Sequence, residues 1–263
     1  METSPGNPFQ LSPHVHVPYD SLDRYLRFVR EERLNLEIYF GSGSFDDLTR
    51  GDIIELKNKL DYNPRLTIHA PFMDLSPGAV DLKVREATMK RFSETLSAAE
   101  ILMPRVVVFH SGYEKWKYEK KVNIWLEQSL ETWHPINIRA SNMGVRIAIE
   151  NIFEDEPENL RLLAKEMNSE NFGICFDTGH FNLFSKVPLM EWIEMIKPYI
   201  KELHLHDNFR YADDHLAIGD GDFDFATLFR ELQGIDCVYT IEARKIEDVK
   251  KSLERLKGLQ STR

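Results

Sequence analysis

Thiols, long apolar runs and positive charge are all in short supply in this chain, and each shortage narrows what it can be. There are two cysteines in 263 residues, Cys175 and Cys237, each inside an apolar run. With no second thiol nearby, a disulfide framework or a thiolate zinc knuckle is disfavoured, and both read as reduced, buried side chains. No apolar run approaches the roughly 18 residues of a membrane span. The N-terminus has no basic segment followed by an apolar one, so no signal peptide is expected. Lys and Arg number 33 against 43 Asp and Glu, for a net charge of −10. That balance disfavours a general binder of nucleic acid or anionic membrane. No low-complexity linker interrupts the chain. The expectation is one cytoplasmic domain over 1–263, with frayed ends at about 1–8 and 260–263.

What is abundant is a regular alternation. Short runs rich in Val, Ile, Leu and Phe occur near 13–17, 34–40, 65–69, 105–110, 145–150, 172–176, 201–206 and 237–242. They have the continuous apolar character of buried parallel strands. Helical spacing lies between them, at 20–33, 81–102, 119–143, 157–167, 188–196, 225–232 and 246–256. Pro135 is expected to split the third of these into two helices. Eight strands with helical segments after them, in about the length of one barrel, predict a single (β/α)8 TIM barrel. A doubly wound open sheet is the alternative.

Chemistry-bearing residues sit at one place in this repeat. His69, His110, Glu150, Asp177, His206 and Glu242 each lie at or just past the C-terminal end of a strand, on six successive strands. His180 follows Asp177 by three residues, in what reads as a tight turn, with Gly179 allowing close backbone approach. Asp213 and His215 follow His206 in a loop. In a barrel all strand C-termini open onto one face, so these nine side chains converge. Imidazoles and carboxylates gathered in a bowl suit one to three divalent transition-metal ions, Zn or Mn. Each residue alone has an ordinary reading: a hydrogen-bonded strand-end histidine, a solvated loop, or, for Glu150, a salt bridge to Arg146. His204, two residues before His206, faces the same side one layer deeper. Phe72 and Trp116 are expected to contact substrate, whereas Tyr113, Phe181 and Phe184 read as loop packing. Glu156 and Arg210 are further substrate-binding candidates.

Thr67-Ile68-His69-Ala70-Pro71, Phe109-His110-Ser111-Gly112, Ile149-Glu150-Asn151, Phe176-Asp177-Thr178-Gly179-His180, His206-Asp207-Asn208, Asp213-Asp214-His215 and Ile241-Glu242 together resemble the xylose isomerase-like TIM-barrel superfamily, from about Leu11 to Leu256. That superfamily includes sugar isomerases, epimerases and endonuclease IV. The resemblance implies that Glu150, Asp177, His206 and Glu242 form a shared metal site. The other five positions match the further ligands of a three-zinc cluster, with Glu150 bridging. It also implies one of two activities. The leading one is isomerisation or epimerisation of a small sugar or sugar phosphate through a metal-stabilised enediolate. There Glu150 and Glu242 would exchange protons, and His180 is a further catalytic candidate. The alternative is phosphoester hydrolysis by two or three zincs. Gly179 stands where the endonuclease motif has Cys, and Asp214 where it has Arg. The loop after Glu150 carries Glu154, Asp155, Glu156 and Glu158, and the only basic run is Lys115, Lys117, Lys120 and Lys121. These departures disfavour duplex DNA as the partner.

Overall fold

The computed structural model describes residues 12–261, with side chains through 258. Eight strands are formed: β1 (His14–Pro18), β2 (Asn35–Tyr39), β3 (Leu66–His69), β4 (Val106–His110), β5 (Arg146–Glu150), β6 (Phe172–Asp177), β7 (Ile200–Leu205) and β8 (Val238–Ile241). Each pairs in parallel with the next. β1 pairs with β8 through His14–Thr240 and Val15–Ile241, which closes the ring. The fold is a (β/α)8 barrel, and the open-sheet alternative fails at that last pairing. No helix among the described residues is long and apolar enough to cross a membrane.

The helices are α1 (Leu22–Glu31), α2 (Ser44–Asp47), α3 (Arg50–Lys59), α4 (Leu82–Leu102), α5 (Val122–Asn142), α6 (Glu158–Met167), α7 (Thr178–Phe184), α8 (Leu189–Ile196), α9 (Phe225–Glu231) and α10 (Ile246–Ser261). Four depart from the sequence expectation, the one-turn α2 being the least of them. First, α5 is one helix with Pro135 inside it. An interior proline costs about 3 kcal/mol. Trp125, Trp133, Ile136 and Ala140 on the same helix are buried, and each large apolar side chain buried in full contributes about 1.5–3 kcal/mol. Packing therefore outweighs the local defect. Second, α3 was not anticipated. Its apolar face is thin, Ile53 and Leu56, but Thr49 and Asp52 form a reciprocal capping box that starts it. Third, the expected turn after Asp177 is the first turn of α7.

The fraying expected at residues 1–8 falls outside the described residues. At the other end α10 continues through Ser261, so 260 and 261 are helical.

Alternation along the strands creates two kinds of interior. Outward residues such as Ile68, Val107, Phe109, Ile147, Ile174 and Leu203 join the helices in the main apolar core. Inward residues leave only a small apolar cluster of Val106, Val108, Ala148, Cys175 and Val238. The rest of the barrel interior is polar and buried: His14, Glu37, Thr67, Glu202, His204 and Thr240. Barrel interiors of this class are ordinarily filled by branched apolar side chains. Buried charge needs partners, and here these residues underlie the site.

Candidate functional site

Seven of the nine convergent residues line one cavity of 330 Å³ at the C-terminal mouth of the barrel. His69, His110, Glu150, His180, Asp213, His215 and Glu242 form its wall, and Phe72, Ile152, Phe153 and Phe184 supply apolar surface. Asp177 and His206 are fully buried just beneath. The strands fix six of these groups, because side chains in register on neighbouring strands face the same way; His110 lies directly opposite Glu150, for example.

Glu150 sits at the hub. Its Oε2 lies 3.0 Å from His69 Nε2 and 3.3 Å from His110 Nε2. Its Oε1 lies 3.2 Å from His180 Nδ1 and 3.5 Å from His204 Nδ1. Arg146, at the other end of β5, instead lies 3.4 Å from Asp236, so the ordinary salt-bridge reading of Glu150 does not hold. Asp177 caps α7 by accepting from the His180 N–H at 2.6 Å, and His206 Nε2 lies 3.0 Å from both its oxygens. Asp213 Oδ2 is 2.8 Å from His215 Nε2, and Glu242 Oε2 is 3.7 Å from His215 Nδ1.

Gly179 is dictated by this geometry. A Cβ there would run into the His206 imidazole, so the residue after Thr178 can carry no side chain unless the ring moves. The loop bearing Asp213 and His215 is held from below by Asp207. Its carboxylate accepts backbone N–H groups from Asn208 (2.9 Å), Gly219 (3.0 Å), Gly221 (2.9 Å) and Phe223 (3.1 Å).

Charges follow from burial and proximity. Burial disfavours the charged form of Glu150, yet His204 and His110 more than offset it and hold its carboxyl well below the usual range. Glu242 is likewise held well below that range: burial opposes this, and His204 and His16 outweigh it. His180 is raised to about 10, because Asp177 and Glu150 overcome the penalty of burial. His110 goes the other way, since burial outweighs the attraction of Glu150.

The donor set fits divalent cations. His69 Nδ1 donates to the Ala70 carbonyl at 2.9 Å, His180 Nδ1 to the Asn151 carbonyl at 3.1 Å, and His215 Nδ1 to the Glu242 carbonyl at 3.0 Å. That arrangement fixes the tautomer and turns the Nε2 lone pair toward the carboxylates, as metal-ligating imidazoles are usually held. His206 Nδ1 and Asp213 Oδ1 are buried without hydrogen-bond partners and face each other at 3.8 Å. Two donors bound at about 2.1 Å to one tetrahedral ion stand about 3.4 Å apart. His69–His110–Glu150, Asp177–His180–His206 and His206–His215–Glu242 each bring ligand atoms within 4.8 Å of one another. The one thiol nearby, Cys175, is buried with its pKa pushed well above the usual value, chiefly by that burial.

The other sequence candidates divide. Phe72 stacks on His110 with ring centres 4.0 Å apart. Phe184 lines the cavity rather than packing away from it, whereas Phe181 packs on Phe176 and Trp192, and Tyr113 on Tyr118 and Trp125. Trp116, Glu156 and Arg210 do not line the cavity. Trp116 is 75% exposed, with Lys120 over its ring. Glu156 borders a separate 200 Å³ hollow, and Arg210 lies 3.7 Å from Asp222. The basic run around Lys115 is a turn preceding α5, with Lys115 on Asp155, Lys117 on Ser76 and Lys121 on Glu119.

The sequence reading passed over His16, Glu37 and Tyr39. His16 and Tyr39 line the cavity, and Glu37 lies fully buried below, 2.9 Å from His16 Nδ1. The signal was there in the alternation His14-Val15-His16-Val17 and Leu36-Glu37-Ile38, which turns polar residues inward on β1 and β2.

Residues 35–259 match the model of the xylose isomerase-like TIM barrel family. The uncharacterized protein MJ1311 of Methanocaldococcus jannaschii is 33% identical over 214 residues, 78% of this chain and 72% of that protein. A D-tagatose 3-epimerase-like protein of known structure superposes with a TM-score of 0.81 at 29% identity, over 95% of this chain and 97% of its own. The TTHB071 protein from Thermus thermophilus, solved after soaking with ZnCl2, gives 0.81 at 25% identity, over 96% and 99%. By the match of residues 35–259 and by its closed eight-stranded barrel, the chain belongs to the xylose isomerase-like TIM barrel family.

Proposed function

We propose that the protein is a divalent-metal-dependent epimerase or isomerase of a small, uncharged sugar. The observation that carries this reading is the make-up of the cavity wall: carboxylates Glu150 and Glu242 at the ends of separate strands, one apolar flank, and no Lys or Arg among the described residues that line it. A phosphorylated substrate would need such cations unless bound ions took their place. The likeness to a D-tagatose 3-epimerase-like protein agrees with a ketose substrate.

His69, His110, Glu150, Asp177, His180, His206, Asp213, His215 and Glu242 would hold one to three Zn or Mn ions. Bound there, such an ion supplies Lewis-acid charge that eases loss of the proton beside a carbonyl. Glu150 and Glu242 are held ionised, so either can accept that proton. Where no ion is bound to it, His180 is held protonated by Asp177 and Glu150 and can return a proton from the β6 side. Phe72, Phe153, Ile152 and Phe184 give the cavity an apolar flank, which weakens the screening of the electrostatic contacts beside it.

The test is solvent exchange. Mn- or Zn-loaded protein is incubated in D2O with D-fructose, D-tagatose, D-psicose and L-ribulose, and deuterium beside the carbonyl is followed by NMR. Incorporation with at least one ketose, abolished in Glu150→Gln, is expected. No incorporation with any ketose would reject the epimerase reading.

A second reading, hydrolysis of a small phosphoester, is favoured by one observation. The donor set is larger than one ion needs, with His69, His110 and His215 all turned inward. Elemental analysis separates the two. One ion per chain, unchanged in His215→Ala, accords with the epimerase. Three zincs, reduced to two in that variant and accompanied by cleavage of bis(4-nitrophenyl) phosphate, accord with the hydrolase.

A further inference from the structure

His16, on β1, stands outside the nine convergent residues, although its ring comes within ligand distance of Glu37 and Glu242. Its Nδ1 lies 2.9 Å from Glu37 Oε1 and 3.0 Å from Glu242 Oε1. Glu37 is anchored in turn by His204 Nε2 at 3.2 Å and by Thr67 Oγ1 at 3.5 Å. His204 Nδ1 then approaches Glu242 Oε1 at 3.2 Å. Two imidazoles and two carboxylates thus close a ring beneath the cavity floor. The ring occupies one edge of the His16 imidazole and leaves the other free. Nε2 has no hydrogen-bond partner among the described residues, although the side chain is only 21% exposed. The Tyr39 ring stacks on His16 at 5.5 Å and holds it upright. His16 also stands at a junction: His16, Tyr39, His215 and Glu242 border both the central cavity and a second one of 310 Å³ running toward α1 and α10.

We propose that His16 is a substrate-contacting residue, whose Nε2 hydrogen-bonds an oxygen of the sugar at the β1–β2 end of the cavity. Glu37 and His204 are positioning residues that set the imidazole's angle. The assignment rests on the sugar reading above, since a polyhydroxylated chain is what offers an oxygen at this distance from the β4–β6 histidines. A fixed hydrogen-bonding nitrogen there discriminates between sugars that do and do not place a hydroxyl opposite it, because a substrate lacking the group leaves a buried polar atom unpaired.

Two substitutions separate contact from scaffolding. Asn carries its amide nitrogen about where Nδ1 lies, so His16→Asn keeps the attachment to Glu37 and Glu242 but removes the cavity-facing atom. Gln reaches the Nε2 position, so His16→Gln keeps the cavity-facing atom. With the ketose that the wild type turns over fastest, His16→Asn is expected to raise KM about tenfold, the worth of one hydrogen bond in a buried site. Its kcat should stay within about threefold and its zinc content should not change, and His16→Gln should recover most of the loss. In the zinc-loaded wild type labelled with 15N-histidine, saturation with that ketose should shift the His16 Nε2 resonance, a readout that needs no variant to fold. An unmoved resonance overturns the proposal, as does wild-type KM in His16→Asn or a loss of activity that tracks loss of zinc. A wild type inert toward every ketose is a different failure: it rejects the sugar reading itself, and this assignment falls with it.

Discussion

The steric fit of Gly179 against His206 gives the sharpest test of how the site is built. In Gly179→Ala the new Cβ meets the His206 ring, and that ring is fully buried with nowhere to retreat. Overpacking of this kind costs about 1–3 kcal/mol. Moving the ring also breaks its contact with the Asp177 carboxylate, now 3.0 Å away, and a hydrogen bond to a charged group contributes about 1.5–3 kcal/mol. The two together come to roughly 2.5–6 kcal/mol. At roughly 2–4 °C per kcal/mol for a chain of this size, the midpoint of the metal-free protein should fall by about 5–24 °C. Zinc affinity should fall at least about 10–100-fold, because even outer groups that orient a ligand are worth that much. Calorimetry of EDTA-treated protein and zinc titration against a chromophoric chelator measure both. Gly144→Ala is the control. Gly144 has φ 69° but open space around its Cβ, so alanine there carries only the left-handed backbone penalty of about 1–2 kcal/mol and should leave zinc binding alone. If Gly179→Ala matches Gly144→Ala in midpoint and in zinc affinity, the packing argument for the site is wrong.

Asp207→Ala should cost about 3 kcal/mol by leaving four backbone N–H groups without their acceptor. Hydrogen exchange over 213–223 should accelerate, and unchanged protection there would refute the anchoring role. Pro135→Ala should stabilise the protein by about 1–2 kcal/mol, since α5 already runs through that position and an interior proline costs about 3 kcal/mol relative to alanine, partly offset by the greater freedom of the unfolded chain; a lower denaturation midpoint would contradict this. The metal-free protein should have a stability maximum in mild acid. His180, raised from 6.5 to about 10, contributes stability that is full below pH 6.5 and is lost as pH climbs toward 10. Glu37 is lowered from 4.5 to about 2: burial opposes this and His204 and His16 outweigh it. It contributes stability that is full above pH 4.5 and is lost as pH falls toward 2. Thermal scans of EDTA-treated protein should therefore peak between about pH 5 and 6, and a midpoint that kept rising to pH 10 would contradict the assignment.

The barrel itself was legible because its strands are apolar runs in register with the repeat, and because six of them end at a residue that an apolar strand does not otherwise tolerate. Glu150 after Ile147-Ala148-Ile149 is the plainest case. The helix inventory was less legible where local and tertiary terms oppose each other. Pro135 argues for a break, but buried Trp133 and Ile136 beside it override that signal. α3 rests on its cap more than on an apolar stripe, so its periodicity is faint.

The order of residues along each strand settles which side chains stand at the barrel mouth, since period-two alternation and strand length fix which way each one faces and how deep it lies. Which of them meet is a property of the closed ring. The register that sets His110 beside Glu150, the closure that brings His16 of β1 to Glu242 after β8, and the loop that brings Asp213 to His180 are all long-range pairings. Trp116, Glu156 and Arg210, on loops between elements, do not line the cavity although they are near its residues in sequence. The physical reason is that a strand fixes direction locally, whereas distance between strand ends is set by the circumference of the whole barrel.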